Sequence, residues 1–454
     1  MKKLAMLFAV LLVSLSFSNV YAQFTRTKTP VFNQKTNPKL EQPVFTNPNL
    51  KTEGEEIVNK QEPEELVPNS YIIFFNPKAV PAFTDVYSDE KFENREQLLE
   101  AFAGFEKQST AKIMDIIQGK MGIDAKQVQQ VYTGAISGFA AKMSDSQAKE
   151  LAERAKGSEL VQSIGQDIYV NFDSSASPEM MVSSPMPPQN VGWGVQFVGS
   201  GDGSKLFNWA FVIDTGVDLN HSDLRVSSSW SRSYVAGEPS PTDNQGHGTH
   251  VAGIIAAKDN GFGVKGVAAG ATVVSVKVLS GLRRSQWSEL LRGVSYAGAV
   301  AWRGDVLNLS LGGPAPSWWD SLWGDVRNDI ESCLRSIGNR GRYITIAAGN
   351  EADNANNHTP ARTNGANIFT ISNMTSARRL AGDSNFGNGP IDFAAPGSGI
   401  YSTYSNGRYA TMSGTSMAAP HVAGILLINR GRINTRGRLV WDRDATLDPI
   451  AVVR

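Results

Sequence analysis

Three short segments carry side chains suited to nucleophilic chemistry. Phe211-Val212-Ile213-Asp214-Thr215-Gly216 ends an apolar run on an aspartate and a glycine turn. Gly246-His247-Gly248-Thr249-His250-Val251-Ala252-Gly253 sets a histidine at a helix start, between glycines that let other backbone come close. Ser413-Gly414-Thr415-Ser416-Met417-Ala418-Ala419-Pro420-His421-Val422-Ala423-Gly424 puts a serine just after a glycine turn, where a helix opens. Free N–H groups and the positive dipole end at such a position stabilise negative charge growing beside the hydroxyl. Pro420 is read into the early turns of that helix, where a missing N–H costs least. Taken singly, Asp214 is a loop cap and Ser416 a helix N-cap. Taken together, an acid, an imidazole and a hydroxyl can form one hydrogen-bonded row that activates the serine.

Other patterns fit simpler roles. His247 and His250 lack the neighbouring glutamate and the wider spacing of a helical zinc pair, so no metal ligand is assigned. Gly261-Phe262-Gly263-Val264-Lys265-Gly266 has dinucleotide-fingerprint spacing but precedes a strand, which makes it a turn. Trp318, Trp319 and Trp323 share helical spacing with Val326 and Ile330 and read as core, as does Cys333 in the stretch carrying Leu322, Val326, Ile330 and Leu334. His221, His250 and His421 read as satisfying local hydrogen bonds, and His358 receives no role.

The elements that must position the three segments follow from apolar patterning. Val- and Ile-rich runs at 209–213, 272–279, 305–311, 343–347 and 368–372 alternate with helical stretches such as 249–257 and 289–301. Continuous apolar strands separated by helices imply an α/β fold: a doubly wound, mainly parallel sheet with helices on both faces, whose ligand site lies beyond the carboxyl ends of the strands. Upstream, strands near 71–75, 128–131, 138–143 and 166–170 and helices near 93–119 and 147–155 suggest a small α+β unit.

The chain has 454 residues, equal numbers of basic and acidic side chains (43 each) and one cysteine. Zero net charge calls for no nucleic-acid or acidic-membrane partner. Residues 1–22 have a basic start, an apolar core and the small-x-small end Val20-Tyr21-Ala22 of a cleaved export signal. With Cys333 alone, an exported chain has no intramolecular disulfide and must hold together by packing, or by packing with bound ions. The expected divisions are a signal peptide at 1–22, a disordered linker at 23–67, the α+β unit at 68–172, an activation linker at 173–188 and the catalytic domain at 189–454.

The order Asp214, His247, Ser416 is the triad order of subtilisin, and residues from 209 to about 424 resemble a subtilase catalytic domain. Asn308-Leu309-Ser310-Leu311-Gly312, Ala347-Ala348-Gly349-Asn350, Ser384-Asn385-Phe386-Gly387 and Ala394-Ala395-Pro396-Gly397 are further blocks of that family in the expected order. The α+β unit, with Ile136-Ser137-Gly138-Phe139-Ala140-Ala141, is similar to the family's inhibitor-type propeptide. The resemblance implies a secreted serine endopeptidase, extracellular or periplasmic, made as a self-processing zymogen. Asp214, His247 and Ser416 would be its triad and Asn350 its oxyanion donor. Ser310, Leu311, Gly312, Ala348 and Gly349 would bind substrate. Partners would be polypeptide substrates and the chain's own propeptide, acting on a monomer with no membrane anchor. Catalysis would need no cofactor, with room left for a structural calcium near loop acids such as Asp218, Asp223 and Asp243. The alternatives are a catalytically inactive subtilase-fold binding module and a related acid peptidase with a glutamate base.

Overall fold

The computed structural model describes residues 66–170, 180–182, 186–282, 284–314, 321–444 and 446–454. The export signal, nearly all of the 23–67 linker, most of the 173–188 linker, and Trp318 and Trp319 lie outside the described residues.

The α+β unit is built from β1 (Leu66–Phe75), α1 (Arg95–Ile116), β2 (Val128–Tyr132), β3 (Gly138–Lys142), α2 (Asp145–Ala155) and β4 (Val161–Val170). Its strands pair antiparallel in the order β4-β1-β3-β2. Side chains alternate across a strand, so β1 buries both faces. Tyr71, Ile73 and Phe75 join a core with Ile113, Ala148 and Leu151 under the unit's own helices. Ile72 and Phe74 enter a second core with Trp287, Leu290, Cys333 and Leu334 of the larger unit. The two units thus share one apolar interior. The larger unit also extends the small sheet: Ser285–Gln286 and Ser321–Trp323 each pair with β4.

The larger unit holds β5 (Ala210–Asp214), α3 (His247–Ala256), β6 (Thr272–Lys277), α4 (Trp287–Val300), β7 (Val306–Leu309), α5 (Val326–Asn339), β8 (Tyr343–Ala347), β9 (Ile368–Met374), β10 (Ile391–Pro396), β11 (Ile400–Tyr404), β12 (Arg408–Met412), α6 (Thr415–Ile428), β13 (Asn434–Arg438) and β14 (Pro449–Val452). Its main sheet runs β13-β14-β10-β9-β8-β7-β5-β6 and then on to the two-residue strand Arg225–Val226. All pairings except β13 with β14 are parallel. Phe211 and Ile213 of β5 face the core under α4 and α5, while Ala210 and Val212 face the core under α3 and α6. This is the doubly wound sheet expected from the apolar runs.

The helical spacing read through Leu322 and Trp323 does not hold. Ser321–Trp323 is a strand against β4, and α5 starts only at Val326. Gly324 separates the two at φ +68, and a Cβ there would stand 2.5 Å from the Gln162 carbonyl oxygen. Cys333 is buried on α5, as expected of a core residue.

The chain end closes the sheet through β14. Just before it, the Asp448 carboxylate accepts the Ser372 hydroxyl at 2.6 Å. Burial pushes this carboxyl up to about 7, against the lowering effect of that hydrogen bond. Its folded pKa thus exceeds its unfolded one, so its contribution is complete below about pH 4 and is lost as pH rises through about 7. Asp448→Asn, which keeps an acceptor for Ser372, should raise Tm relative to wild type at pH 8. The gap should close by pH 4.5. Thermal melts at the two pH values check this, and a gap independent of pH contradicts it.

Candidate active site

β5 delivers Asp214 to the carboxyl end of the sheet. Its Oδ1 accepts the Thr215 N–H at 2.7 Å and lies 2.8 Å from Nδ1 of His247, with both side chains fully buried. A carboxylate at Nδ1 holds the proton there and leaves the ring's basic lone pair on Nε2. His247 is the first residue of α3. The flanking glycines are required by what approaches them. A Cβ on Gly248 would stand 2.1 Å from the Gly216 carbonyl oxygen, and one on Gly246 would strike the Tyr404 ring.

A residue missed as functional sets the start of α3. Asp243 accepts the N–H groups of Gln245, Gly246 and Thr249 and the hydroxyls of Thr215 and Thr249. Its place a few residues ahead of a helix start was the only sequence signal, and it was read as a loop acid. Burial raises its pKa against these bonds.

Ser416 is the second residue of α6 and is 2% exposed. Its Oγ donates to the Ser310 carbonyl at 3.2 Å. In return the Ser310 hydroxyl donates to the Ser416 carbonyl at 2.8 Å. Pro420 explains this second bond. α6 starts at Thr415, so Pro420 lies beyond the first turn, and the expectation that its missing N–H costs least there is corrected. The proline leaves the carbonyl four residues back without its helical donor; that carbonyl is Ser416's, and Ser310 satisfies it. Asn308 donates to Ser310 Oγ at 2.9 Å and accepts from Thr345 at 2.9 Å, which fixes the arrangement from β7 and β8. The Ser310 side chain therefore serves the helix that carries Ser416.

The loop after β8 brings Asn350 to the same helix. Its side-chain carbonyl accepts the Thr415 N–H at 2.8 Å, and the Thr415 hydroxyl accepts the Gly349 N–H at 3.1 Å. Gly349 has φ +103, and a Cβ there would meet Asn385 at 2.3 Å. Asn385 shapes the loop from below. It donates to the Ala348 carbonyl at 2.9 Å and to Glu351 at 2.6 Å, and it accepts the N–H groups of Glu351 and Asp353. In the sequence this asparagine stands out only as part of the block Ser384-Asn385-Phe386-Gly387.

Beside Ser416 opens a pocket walled by Leu311, Gly312, Ala348, Gly349 and Asn350, with Glu351 and His358 also in its lining. His358 had no role by sequence. Its Nε2 lies 3.1 Å from Asp353 and its Nδ1 3.5 Å from Glu351, so a small titratable group borders the pocket.

The remaining histidines behave as expected. His250 Nε2 lies 3.0 Å from the carbonyls of Ile400 and Ala410. His421 Nδ1 faces the Met417 carbonyl at 2.8 Å, and His221 Nε2 faces that of Arg408 at 3.1 Å. Burial pulls His250 down to about 3 and His421 down to about 4, so both are neutral. The loop acids named for calcium are engaged elsewhere. Asp218 takes the N–H groups of Asn220 and Gly407; Asp223 takes Asn260, Val264 and Tyr409; Asp243 caps α3. Among the described residues, no three His, Cys, Asp or Glu side chains converge as a metal site.

Known proteins share this plan. The Subtilase family matches residues 211–441, and the family described as Peptidase inhibitor I9 matches residues 70–169. Subtilisin BL of Lederbergia lenta is 38% identical over 245 residues, covering 52% of this chain and 82% of that protein. Thermitase of Thermoactinomyces vulgaris is 35% identical over 240 residues, covering 52% and 78%. Alkaline serine exoprotease A of Vibrio alginolyticus is 32% identical over 346 residues, covering 74% of this chain and 58% of that protein. A crystal structure of a cold adapted subtilisin-like serine proteinase superposes with a TM-score of 0.50 at 29% identity, over 58% of this chain and 99% of the other.

Proposed function

Because the chain belongs to the subtilase family of serine proteases and carries that family's inhibitor-type propeptide, we propose that it is a secreted serine endopeptidase made as a self-processing zymogen, with Asp214, His247 and Ser416 as its triad. One observation carries the reading. It is a fully buried Asp214–His247 hydrogen bond at the carboxyl end of a parallel strand, in a chain that also holds a serine and an asparagine at the start of one helix.

The geometry supports these roles. Ser416 Oγ attacks the peptide carbonyl carbon while His247 Nε2 takes its proton. Asp214 holds the imidazole in the required tautomer and steadies the imidazolium. Negative charge then grows on the carbonyl oxygen. The Asn350 NH2 and the Ser416 N–H at the start of α6 stabilise it, aided by the helix dipole. Collapse of this intermediate returns the proton from His247 to the departing amine and leaves an acyl group on Ser416. Water, deprotonated by the same ring, releases it. Leu311 and Gly312 offer backbone for pairing with an extended substrate, which gives affinity with little side-chain demand. Ala348 and Gly349 form small walls of the adjoining pocket. Ser310 acts through Ser416 as a positioning residue. The chemistry needs no cofactor. Asp218, Asp223 and Asp243 each accept protein donors, and no calcium is assigned to them.

Self-cleavage would fall beyond Val170, where β4 ends at the Ser285–Gln286 edge of the larger unit. Export would follow from residues 1–22; no helix among the described residues is long and apolar enough to cross a membrane.

The experiment is cleavage of a peptide library and of casein by the purified, processed protein at neutral pH. Internal bonds should be cut, and phenylmethylsulfonyl fluoride should stop the reaction while EDTA and pepstatin do not. Absence of cleavage favours the inactive binding module. Activity confined to strong acid favours the glutamate-dependent acid peptidase.

A further inference from the structure

The catalytic row lies at the carboxyl ends of the parallel strands, yet the most heavily charged contact between the two units lies at their amino ends. Asp305 immediately precedes β7, Trp209 precedes β5 and Arg342 precedes β8, and these three strands are neighbours in the order β8-β7-β5. β5 alone separates Trp209 from Asp214 by roughly 15 Å of extended chain.

Arg95, the first residue of α1 in the small unit, reaches into this rim. Its guanidinium forks onto the Asp305 carboxylate at 2.6 and 2.7 Å and donates to the Phe207 carbonyl at 2.9 Å. Trp209 lies 4.3 Å, Phe207 4.9 Å and Trp302 5.9 Å from it, measured to the ring centroids. Arg95 is 5% exposed and Asp305 is fully buried. A two-pronged, desolvated guanidinium–carboxylate pair with aromatic walls is among the strongest polar contacts proteins make. The carboxylate is held without Arg95, because it also accepts the N–H groups of Trp209 and Trp302 and the Asn208 amide. All of those donors belong to the larger unit, so its own backbone and Asn208 help hold the carboxylate that faces Arg95.

Beside it the charges are reversed. Asp89 of the small unit accepts the Arg303 N–H at 3.1 Å and pairs with Arg342 at 3.1 Å and Arg340 at 3.6 Å. Arg342 is itself fixed to the Ala301 and Arg340 carbonyls, and Arg340 also donates to the Thr84 and Tyr87 carbonyls of the small unit. One short segment thus presents an acid and, six residues later, an arginine to two sockets of opposite sign. The pattern rejects a partner with the charges exchanged.

We propose that the amino-end rim of the catalytic unit's sheet is an exosite for the pro-unit: Asp305 and its aromatic walls take Arg95, Arg340 and Arg342 take Asp89, and the cut pro-unit is retained there independently of the cleft. This rests on the zymogen reading and adds what sets the delay between self-cleavage and release. Cleavage frees the chain at the catalytic end of the sheet and leaves the rim untouched. Escape of the pro-unit then requires breaking a buried ion pair, and truncating one member of such a pair acts mainly on dissociation.

The test uses the full chain as wild type, Arg95→Ala, Arg95→Lys and Asp305→Asn. Gels follow the cut, and peptide hydrolysis follows the appearance of activity after it. All four chains should be cut. Activity should then emerge at least about tenfold sooner in Arg95→Ala and Asp305→Asn. Arg95→Lys should fall between, since an ammonium keeps the charge and loses the fork. The Arg95→Ala, Asp305→Asn double variant should be little faster than either single one. Enzyme matured from Arg95→Ala carries no substitution and should match wild type in kcat/KM. Unchanged lag times in cut Arg95→Ala and Arg95→Lys overturn the exosite. If wild type is not cut, the zymogen reading fails instead, and the exosite is read in the uncut chain by hydrogen exchange. There α1 amides should exchange at least about tenfold faster in Arg95→Lys and Arg95→Ala, and unchanged exchange overturns the proposal.

Discussion

Ser416→Ala is expected to give a folded chain that is never cut, with peptidase activity lowered about a millionfold, a size taken from subtilisin's own serine variant rather than calculated from this site. The fold should survive because the lost hydroxyl makes one 3.2 Å bond to the Ser310 carbonyl, worth about 1 kcal/mol. The Ser310 bond to the Ser416 backbone remains. Wild type expressed alongside should yield a fragment starting beyond Val170. The same fragment from Ser416→Ala, in a protease-free system, would show that the cut does not depend on Ser416. Mass spectrometry of both products decides.

The second large effect is at Asn350. Asn350→Leu removes the amide proposed as the oxyanion donor while filling a similar volume. Turnover should fall about two to three orders of magnitude, again the figure known for subtilisin's equivalent asparagine. If that role holds, the charge concerned exists only in the transition state, so kcat should carry the loss and KM should change little. Asn350 also accepts the Thr415 N–H, so some loss of Tm is expected. A comparable rise in KM with kcat preserved would mean that the asparagine holds substrate instead.

Legibility in the sequence followed distance along the chain. Asp214, His247 and Ser416 each sit in a local signature of a strand end or helix start, and parallel strands advertise themselves as continuous apolar runs. These features were readable. The supports were not. Ser310 and Asn385 act through bonds to partners far along the chain, and Asp243, although most of its partners are near, passes for a loop acid until the start of α3 is placed. The Ser310 bond is intelligible only with Pro420, over a hundred residues on. Pro420 itself was misjudged because the start of α6 decides whether its missing N–H matters. The strand at 321–323 looked helical because the next helix shares its spacing, while Gly324 and the β4 edge decide the local conformation. His358 reached the pocket wall by a loop whose course no periodicity reveals. The Arg95–Asp305 pair spans 210 positions and joins two units, so neither residue looks unusual in its own neighbourhood.

The most direct measurement is active-site labelling of the processed protein with a fluorophosphonate, with the adduct located by peptide mass spectrometry. One phosphonyl group should appear on Ser416, at a rate that falls by orders of magnitude in His247→Ala. An unlabelled protein, or an adduct on another serine with Ser416 unmodified, would contradict the assignment of Ser416 as a nucleophile activated by His247.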